Sequence, residues 1–151
     1  MNIQPTKTPG ITVADQPTEA DLRGLKAEGY TGVVNLRNDG EPEQPLGTAA
    51  EGDLVRELGL EYLHYGVGGA PLSEGGVTSV SDFLTRHAGG KVLVHCRKGA
   101  RAAALVLLHE AKARNWGVDE ALTRGRELGL DLDGGLRTLV ENYLRTRPPG
   151  A

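Results

Sequence analysis

Sulfur-bearing and aromatic residues are nearly missing from this chain. Of its 151 residues, one is Cys, one Met, one Trp, one Phe and four Tyr. The core is therefore expected to be aliphatic, built from Leu, Val and Ala. A single cysteine cannot close an internal disulfide, which points to a reducing compartment and predicts a cytoplasmic protein. No apolar run approaches the roughly 18–20 residues that span a bilayer. The start, Met1-Asn2-Ile3-Gln4-Pro5, lacks the charged and apolar regions of a signal peptide. An excess of one charge is missing too. Seventeen Lys and Arg face twenty Asp and Glu, for a formal net charge of −3. That balance predicts no nucleic-acid or membrane partner, while leaving room for a local basic patch. The Walker pattern and the dinucleotide glycine fingerprint are absent, so no cofactor is expected. His64, His87 and His109 lie far apart and lack ligand spacing, so no metal is expected.

What the chain does have is an alternation of short apolar runs with helical periodicity. Residues 1–10 carry two prolines and predict a flexible arm, leaving one domain over residues 11–147. Ile11-Thr12-Val13 reads as a short edge strand. Thr18 with Asp21 three residues on is a capping-box pattern, opening a helix that Gly29 stops. A strand is expected over 31–36, a helix over 49–58 and a strand over 60–65. A Gly- and Pro-rich loop over 66–75 precedes a helix over 77–87 and a strand over 91–95. A helix from Arg101 is apolar all round for two turns, which predicts burial. Further helices follow over 119–128 and after Asp133, whose position before Leu136, Leu139, Val140 and Tyr143 reads as an N-cap and not, with Asp131, as a metal site. Trp116 beside Gly117 is expected to pack over a helix end. Strands with continuous apolar cores alternating with helices predict an α/β fold: a mainly parallel sheet of four to five strands, with helices on both faces. In such sheets the binding crevice lies at the carboxyl ends of the strands. Arg37, the 66–71 loop and Cys96 are predicted to gather there.

The most informative segment is His95-Cys96-Arg97-Lys98-Gly99-Ala100-Arg101, set between Val92-Leu93-Val94 and the apolar run from Ala102 to Leu108. A thiol at the end of a strand, on a basic Gly-containing loop that opens a helix, sits where backbone amides and the helix dipole favour an anion. Helix N-termini and neighbouring cations also favour the thiolate form of a cysteine. Gly99 allows successive amides of residues 97–101 to converge on one spot, and Arg97, Lys98, Gly99 and Ala100 supply that cradle. Arg101 can hold two oxygens of a phosphoryl group in a fork, which lysine cannot. The pattern suits in-line attack by Cys96 and a covalent intermediate. A lone cysteine often serves only as a small packing residue, but Arg-Lys-Gly-Ala-Arg after it gives a packed core no benefit. His95 either tunes Cys96 or ends its strand with a backbone hydrogen bond; a supporting role is preferred. Arg37 either adds to the anion site or pairs with a loop acid, with the structural role preferred.

At this loop the chain resembles the cysteine-dependent phosphatases of the protein tyrosine and dual-specificity superfamily. It looks most like their small bacterial branch, found alone or fused to a persulfide-dioxygenase-type domain, which carries His-Cys-Arg-x-Gly-x-Arg. Ala14-Asp15-Gln16-Pro17-Thr18 and Val33-Val34-Asn35-Leu36-Arg37 agree with that branch as well, and the resemblance spans about residues 11–145. It implies that Cys96 is the nucleophile, Arg101 the phosphate-binding arginine and 97–100 the amide cradle. The implied reaction is hydrolysis of phosphate monoesters through a phosphocysteine, on a phosphorylated protein or a small phosphate ester.

The chain departs from the larger superfamily in three places. Four residues separate Cys96 from Arg101 where the superfamily has five, a spacing shared with rhodanese-type sulfurtransferases. Ala102 stands where a Ser or Thr usually follows the arginine. The segment Gly66-Val67-Gly68-Gly69-Ala70-Pro71 has no acid where the superfamily keeps a proton donor. Glu74 and Asp39 are the nearby candidates for that donor, weighed against ordinary solvated carboxylates. Two other functions are therefore set beside the phosphatase. One is a sulfurtransferase carrying a persulfide on Cys96. The other is a module that binds phosphate or sulfate without turnover.

Overall fold

The computed structural model describes residues 1–132 and 134–146. Five strands form one sheet: β1 (Ile3–Gln4), β2 (Ile11–Ala14), β3 (Tyr30–Asn35), β4 (Glu61–His64) and β5 (Lys91–His95). Their order is β1-β2-β5-β3-β4; β1 is antiparallel to β2 and the other pairs are parallel. The helices are α1 (Glu19–Gly24), α2 (Thr48–Glu57), α3 (Glu74–Arg86), α4 (Ala100–Arg114), α5 (Val118–Glu127) and α6 (Gly134–Thr146), with a 3-10 turn over Lys26–Glu28.

The period of two along the strands sorts side chains between two cores. Val34, Val92 and Val94 face α3 to α6, while Val33 and Leu93 face α1 and α2. α4 lies at the centre of the first layer, so Ala102 to Leu108 are all buried, in keeping with their apolar run. The Thr18 capping box is formed in both directions, and Gly29 ends the following turn at φ 92. Trp116 packs at the end of α4, with the Arg114 guanidinium 5.6 Å from its ring centre.

Three local readings differ from expectation. Part of the 1–10 arm lies in the sheet as β1, so β2 is an interior strand and not an edge. That arm is tied down by Asn2 to the Asp15 carboxylate at 2.6 and 2.8 Å and by Gln4 to the Gly129 carbonyl at 2.8 Å. α3 begins at Glu74, inside the stretch read as loop, because the Ser73 hydroxyl accepts the Gly76 amide at 3.0 Å. Gly76 is needed there for space: a Cβ would come within 2.3 Å of the Tyr65 ring. Asp133, expected to cap α6, lies outside the described residues. No helix among the described residues is long and apolar enough to cross a membrane.

Candidate active site

The carboxyl ends of β3, β4 and β5 bring the 36–45 loop, the 65–71 loop and the 96–101 loop together. Cys96 follows β5 directly and is 1% exposed. The chain then turns through Gly99, whose φ of 101 lies in the left-handed region that glycine adopts without strain. Gly99 is the N-cap of α4. Its amide donates to the Cys96 sulfur at 3.0 Å, so the start of the helix is aimed at the thiol. Cys96, Arg97, Lys98, Ala100, Arg101 and Leu136 line a hollow of about 230 Å³. Arg97, Arg101 and Leu136 also line an adjoining cleft of about 730 Å³, walled by Glu41 and Pro42, by Val67 to Gly69, and by the start of α6. The sequence-predicted nucleophile, arginine and cradle are thus brought to one place.

The arginines are held by carboxylates that the sequence reading did not single out. Arg101 forms a two-point contact with Glu41, at 2.8 and 2.7 Å, and donates to the Val67 carbonyl at 3.0 Å. Glu41 also accepts from Arg37 Nε at 3.1 Å and from the Asn38 amide at 2.7 Å. Arg101, more than the Asn38 amide and Arg37, pulls the Glu41 carboxyl down to about 2 against the opposing effect of burial. In return Glu41 raises the pKa of Arg101, and the nearby Cys96 sulfur adds to that effect. Arg97 donates from Nη2 to Glu43 at 2.5 Å.

Arg37 is fully buried and takes the structural role. It donates to Gln16 Oε1 at 2.8 Å, to the Glu43 carbonyl at 3.0 Å and to the Pro42 carbonyl, fastening the 41–43 segment. His95 is neither bonded to backbone through its ring nor open to solvent. Its Nε2 meets the Glu51 carboxylate at 2.7 Å, and both residues are buried. Gln16 Nε2 donates to the other oxygen of Glu51 at 3.2 Å. A buried polar chain thus runs from His95 through Glu51 and Gln16 to Arg37 and on to Glu41.

Neither candidate proton donor lines the hollow or the cleft. The Asp39 carboxylate accepts the Thr48 amide at 2.7 Å and the Thr48 hydroxyl at 3.1 Å, so it caps α2. That amide holds its carboxyl below the ordinary value, the wrong direction for a group that must give up a proton near neutral pH. Glu74 accepts from the Tyr143 hydroxyl at 2.8 Å and from Thr78 at 3.2 Å, a strut between α3 and α6. Asp39 and Glu74, weighed as proton donors against ordinary solvated carboxylates, thus stand as a helix cap and a strut. Ala102 is buried against the core and brings no hydroxyl to Cys96.

The model of the beta-lactamase hydrolase-like protein, phosphatase-like domain, matches residues 5–113. The chain belongs to this family. The beta-lactamase hydrolase-like protein of Xylella fastidiosa (strain Temecula1) is 31% identical over 137 residues, covering 90% of this chain and 31% of the relative. That of Agrobacterium fabrum is 32% identical over 130 residues, covering 85% of this chain and 30% of the relative. The chain therefore spans about a third of the length of these relatives. Dual specificity protein phosphatase 26 of Rattus norvegicus is 31% identical over 128 residues, covering 79% of this chain and 56% of the relative. Among solved structures, Tk-PTP in its active form has a TM-score of 0.74 at 22% identity, covering 95% of this chain and 98% of the other. A DUF442 protein of Shewanella putrefaciens CN-32 has a TM-score of 0.68 at 24% identity, covering 93% and 91%. The phosphatase-like domain thus sits within the cysteine-dependent phosphatase superfamily and has its fold.

Glu41, Glu43 and Glu51 were missed from sequence, and Glu41 and Glu51 each left a faint signal. Glu51 stands at i relative to Leu54 (i+3), Val55 (i+4) and Leu58 (i+7) of α2, so it belongs to the inward face although it is charged. Glu41 lies four residues after Arg37, on a loop that leaves the end of a strand.

Proposed function

We propose that this phosphatase-like domain hydrolyses phosphate monoesters through a phosphocysteine on Cys96. The Cys96 thiolate attacks phosphorus as the bond to the ester oxygen breaks, and the leaving group departs as its oxyanion and takes a proton from solvent. Water then attacks the phosphocysteine, releasing inorganic phosphate and returning the sulfur to its starting state. The amides of residues 97–101 and the Arg101 guanidinium bind the phosphoryl oxygens, most strongly as charge spreads over them in transfer. The observation that carries this reading is the Gly99 amide 3.0 Å from the Cys96 sulfur, with Arg101 lining the same hollow.

Glu41 borders the cleft as an ionised group and accepts hydrogen bonds there, so it does not serve as the proton donor. Esters with good leaving groups, such as aryl phosphates, are therefore expected to turn over much faster than alkyl phosphates. The substrate class is a phosphorylated protein or a small phosphate ester. The matching family model is of a phosphatase-like domain and one relative is a dual specificity protein phosphatase, and the sulfurtransferase reading draws no support from these matches.

The test is release of phenolate from an aryl phosphate. Cys96→Ser is expected to lower the rate by about a thousandfold or more without loss of fold, as removal of a nucleophile does. Phenolate release that survives the substitution overturns the proposal. So does a purified wild-type domain that releases none.

A further inference from the structure

The two arginines beside Cys96 are covered by carboxylates held in very different ways. Glu41 is fixed by Arg101, Arg37 and the Asn38 amide, and its side chain is 19% exposed. The Glu43 carboxylate is bonded to Arg97 and is 75% exposed. Exposed pairs of this kind are weak and easily exchanged. The Glu43 backbone is anchored independently, because its carbonyl accepts from Arg37 Nη1 at 3.0 Å. Only the side chain has to rotate for Glu43 to leave Arg97.

Arg97 has unused capacity as a donor. Its Nε is buried and has no hydrogen-bond partner, while its side chain lines both the hollow with Cys96 and the larger cleft. A guanidinium whose fork is half used, at the junction of the two spaces, suits a second oxyanion lying beside the first. Lys98 is exposed on the same loop and adds charge of the same sign.

We infer that Arg97 is a second anion-binding group, and that the domain prefers small phosphate esters carrying a second phosphoryl or carboxylate group. The second group displaces the Glu43 carboxylate from Arg97 while the first lies over Cys96 and against Arg101. Glu43 acts as a resident competitor: a ligand with one anionic group leaves it in place, and a ligand with two replaces it. The inference rests on the reading of residues 96–101 as a phosphate-binding loop. It adds a selectivity that such a loop does not require.

Calorimetric titration of the Cys96→Ser protein with inorganic phosphate and with pyrophosphate tests it, because neither ligand is then turned over through the sulfur. Pyrophosphate is expected to bind about tenfold more tightly than phosphate, a difference of about 1.4 kcal/mol. Adding Glu43→Gln is expected to tighten pyrophosphate several-fold and to leave phosphate nearly unchanged. Adding Arg97→Gln is expected to remove the preference while phosphate still binds, which also shows that the protein is folded. Asp53→Asn, which removes an 86% exposed carboxylate on α2, measures the effect of one negative charge lost elsewhere. A preference that survives Arg97→Gln overturns the inference. So does a Glu43→Gln protein that gains on both ligands alike, or no more than the Asp53→Asn control. The two proposals fail separately. Pyrophosphate preference with no Cys96-dependent phenolate release keeps the anion site and removes the hydrolase; phenolate release without the preference does the reverse.

Discussion

The two faces of the sheet are built from different materials. On one, α4 is packed among α3, α5 and α6, and Ala102 to Leu108 are enclosed by aliphatic neighbours, with a Ser81–His109 contact at the margin. On the other, α1 and α2 bury Leu22, Leu25, Leu54 and Val55, and the same side also buries Glu51, His95 and Arg37. Burying such groups costs free energy unless each is partnered, and here they partner one another in a line that ends at the loops around Cys96. The apolar face reaches the site through Cys96, a member of its cluster, and is expected to act on the chemistry only through packing. The polar face couples stability to the geometry of the site.

The largest expected effect lies on the apolar face. Leu107 is 1% exposed and so close to α5 that a Cβ on Gly125 would come within 2.7 Å of it. Leu107→Ala is expected to cost about 2–5 kcal/mol, the range for a buried leucine that leaves a cavity. Denaturant unfolding reads the loss, and turnover per folded molecule should not change. A fall in kcat of the folded fraction would show that the two faces are not separate.

Glu51→Ala attacks the other face. It leaves His95 Nε2 without its carboxylate, on a ring whose Nδ1 is already unpartnered, and it removes one of the contacts of Gln16. The expected stability loss is smaller, about 1–3 kcal/mol, but kcat on an aryl phosphate should fall about tenfold, or about 1.4 kcal/mol of barrier. Glu51→Gln should retain more of the stability than Glu51→Ala while still lowering kcat. If both variants lose stability and keep kcat, the polar chain is only a packing device and the contrast between the faces disappears.

That contrast also separates what was legible in the sequence from what was not. Apolar runs and their period declared β2 to β5 and the burial of α4, and the Gly-containing loop between β5 and α4 placed Cys96, Gly99 and Arg101 at one spot, because each of these follows from local pattern. Glu41 and Glu51 left only a faint signal, for the opposite reason. Arg101 is 60 residues from Glu41 and His95 is 44 from Glu51, and a charged residue on a loop or helix reads as solvated until its partner is known. Asp39 and Glu74 show the same limit from the other side: both lie near the crevice in sequence, yet a local amide and a distant tyrosine hydroxyl hold them elsewhere. Ser73 overrode the helix-breaking tendency of Gly75 and Gly76 by capping α3, a small polar contact that outweighed composition.

The smallest effect tests where the polar line meets the 96–101 loop. Glu41 has its carboxyl lowered from 4.5 to about 2, chiefly by Arg101 and then by the Asn38 amide and Arg37. A carboxyl lowered in the folded state binds its proton less readily there than in the unfolded chain. Its contribution to stability is therefore complete above the ordinary value of 4.5 and is lost as pH falls through about 2. Glu41→Gln removes the charge at every pH. The melting temperature of the wild-type protein is expected to exceed that of Glu41→Gln by a few degrees at neutral pH, and the gap should close as pH falls from 4.5 toward 2. Comparing the two proteins at each pH cancels the titration of other carboxylates. A gap that stays constant down to pH 2 would mean that Glu41 holds Arg101 by shape alone, and that the line from His95 to Arg101 carries no charge at its last link.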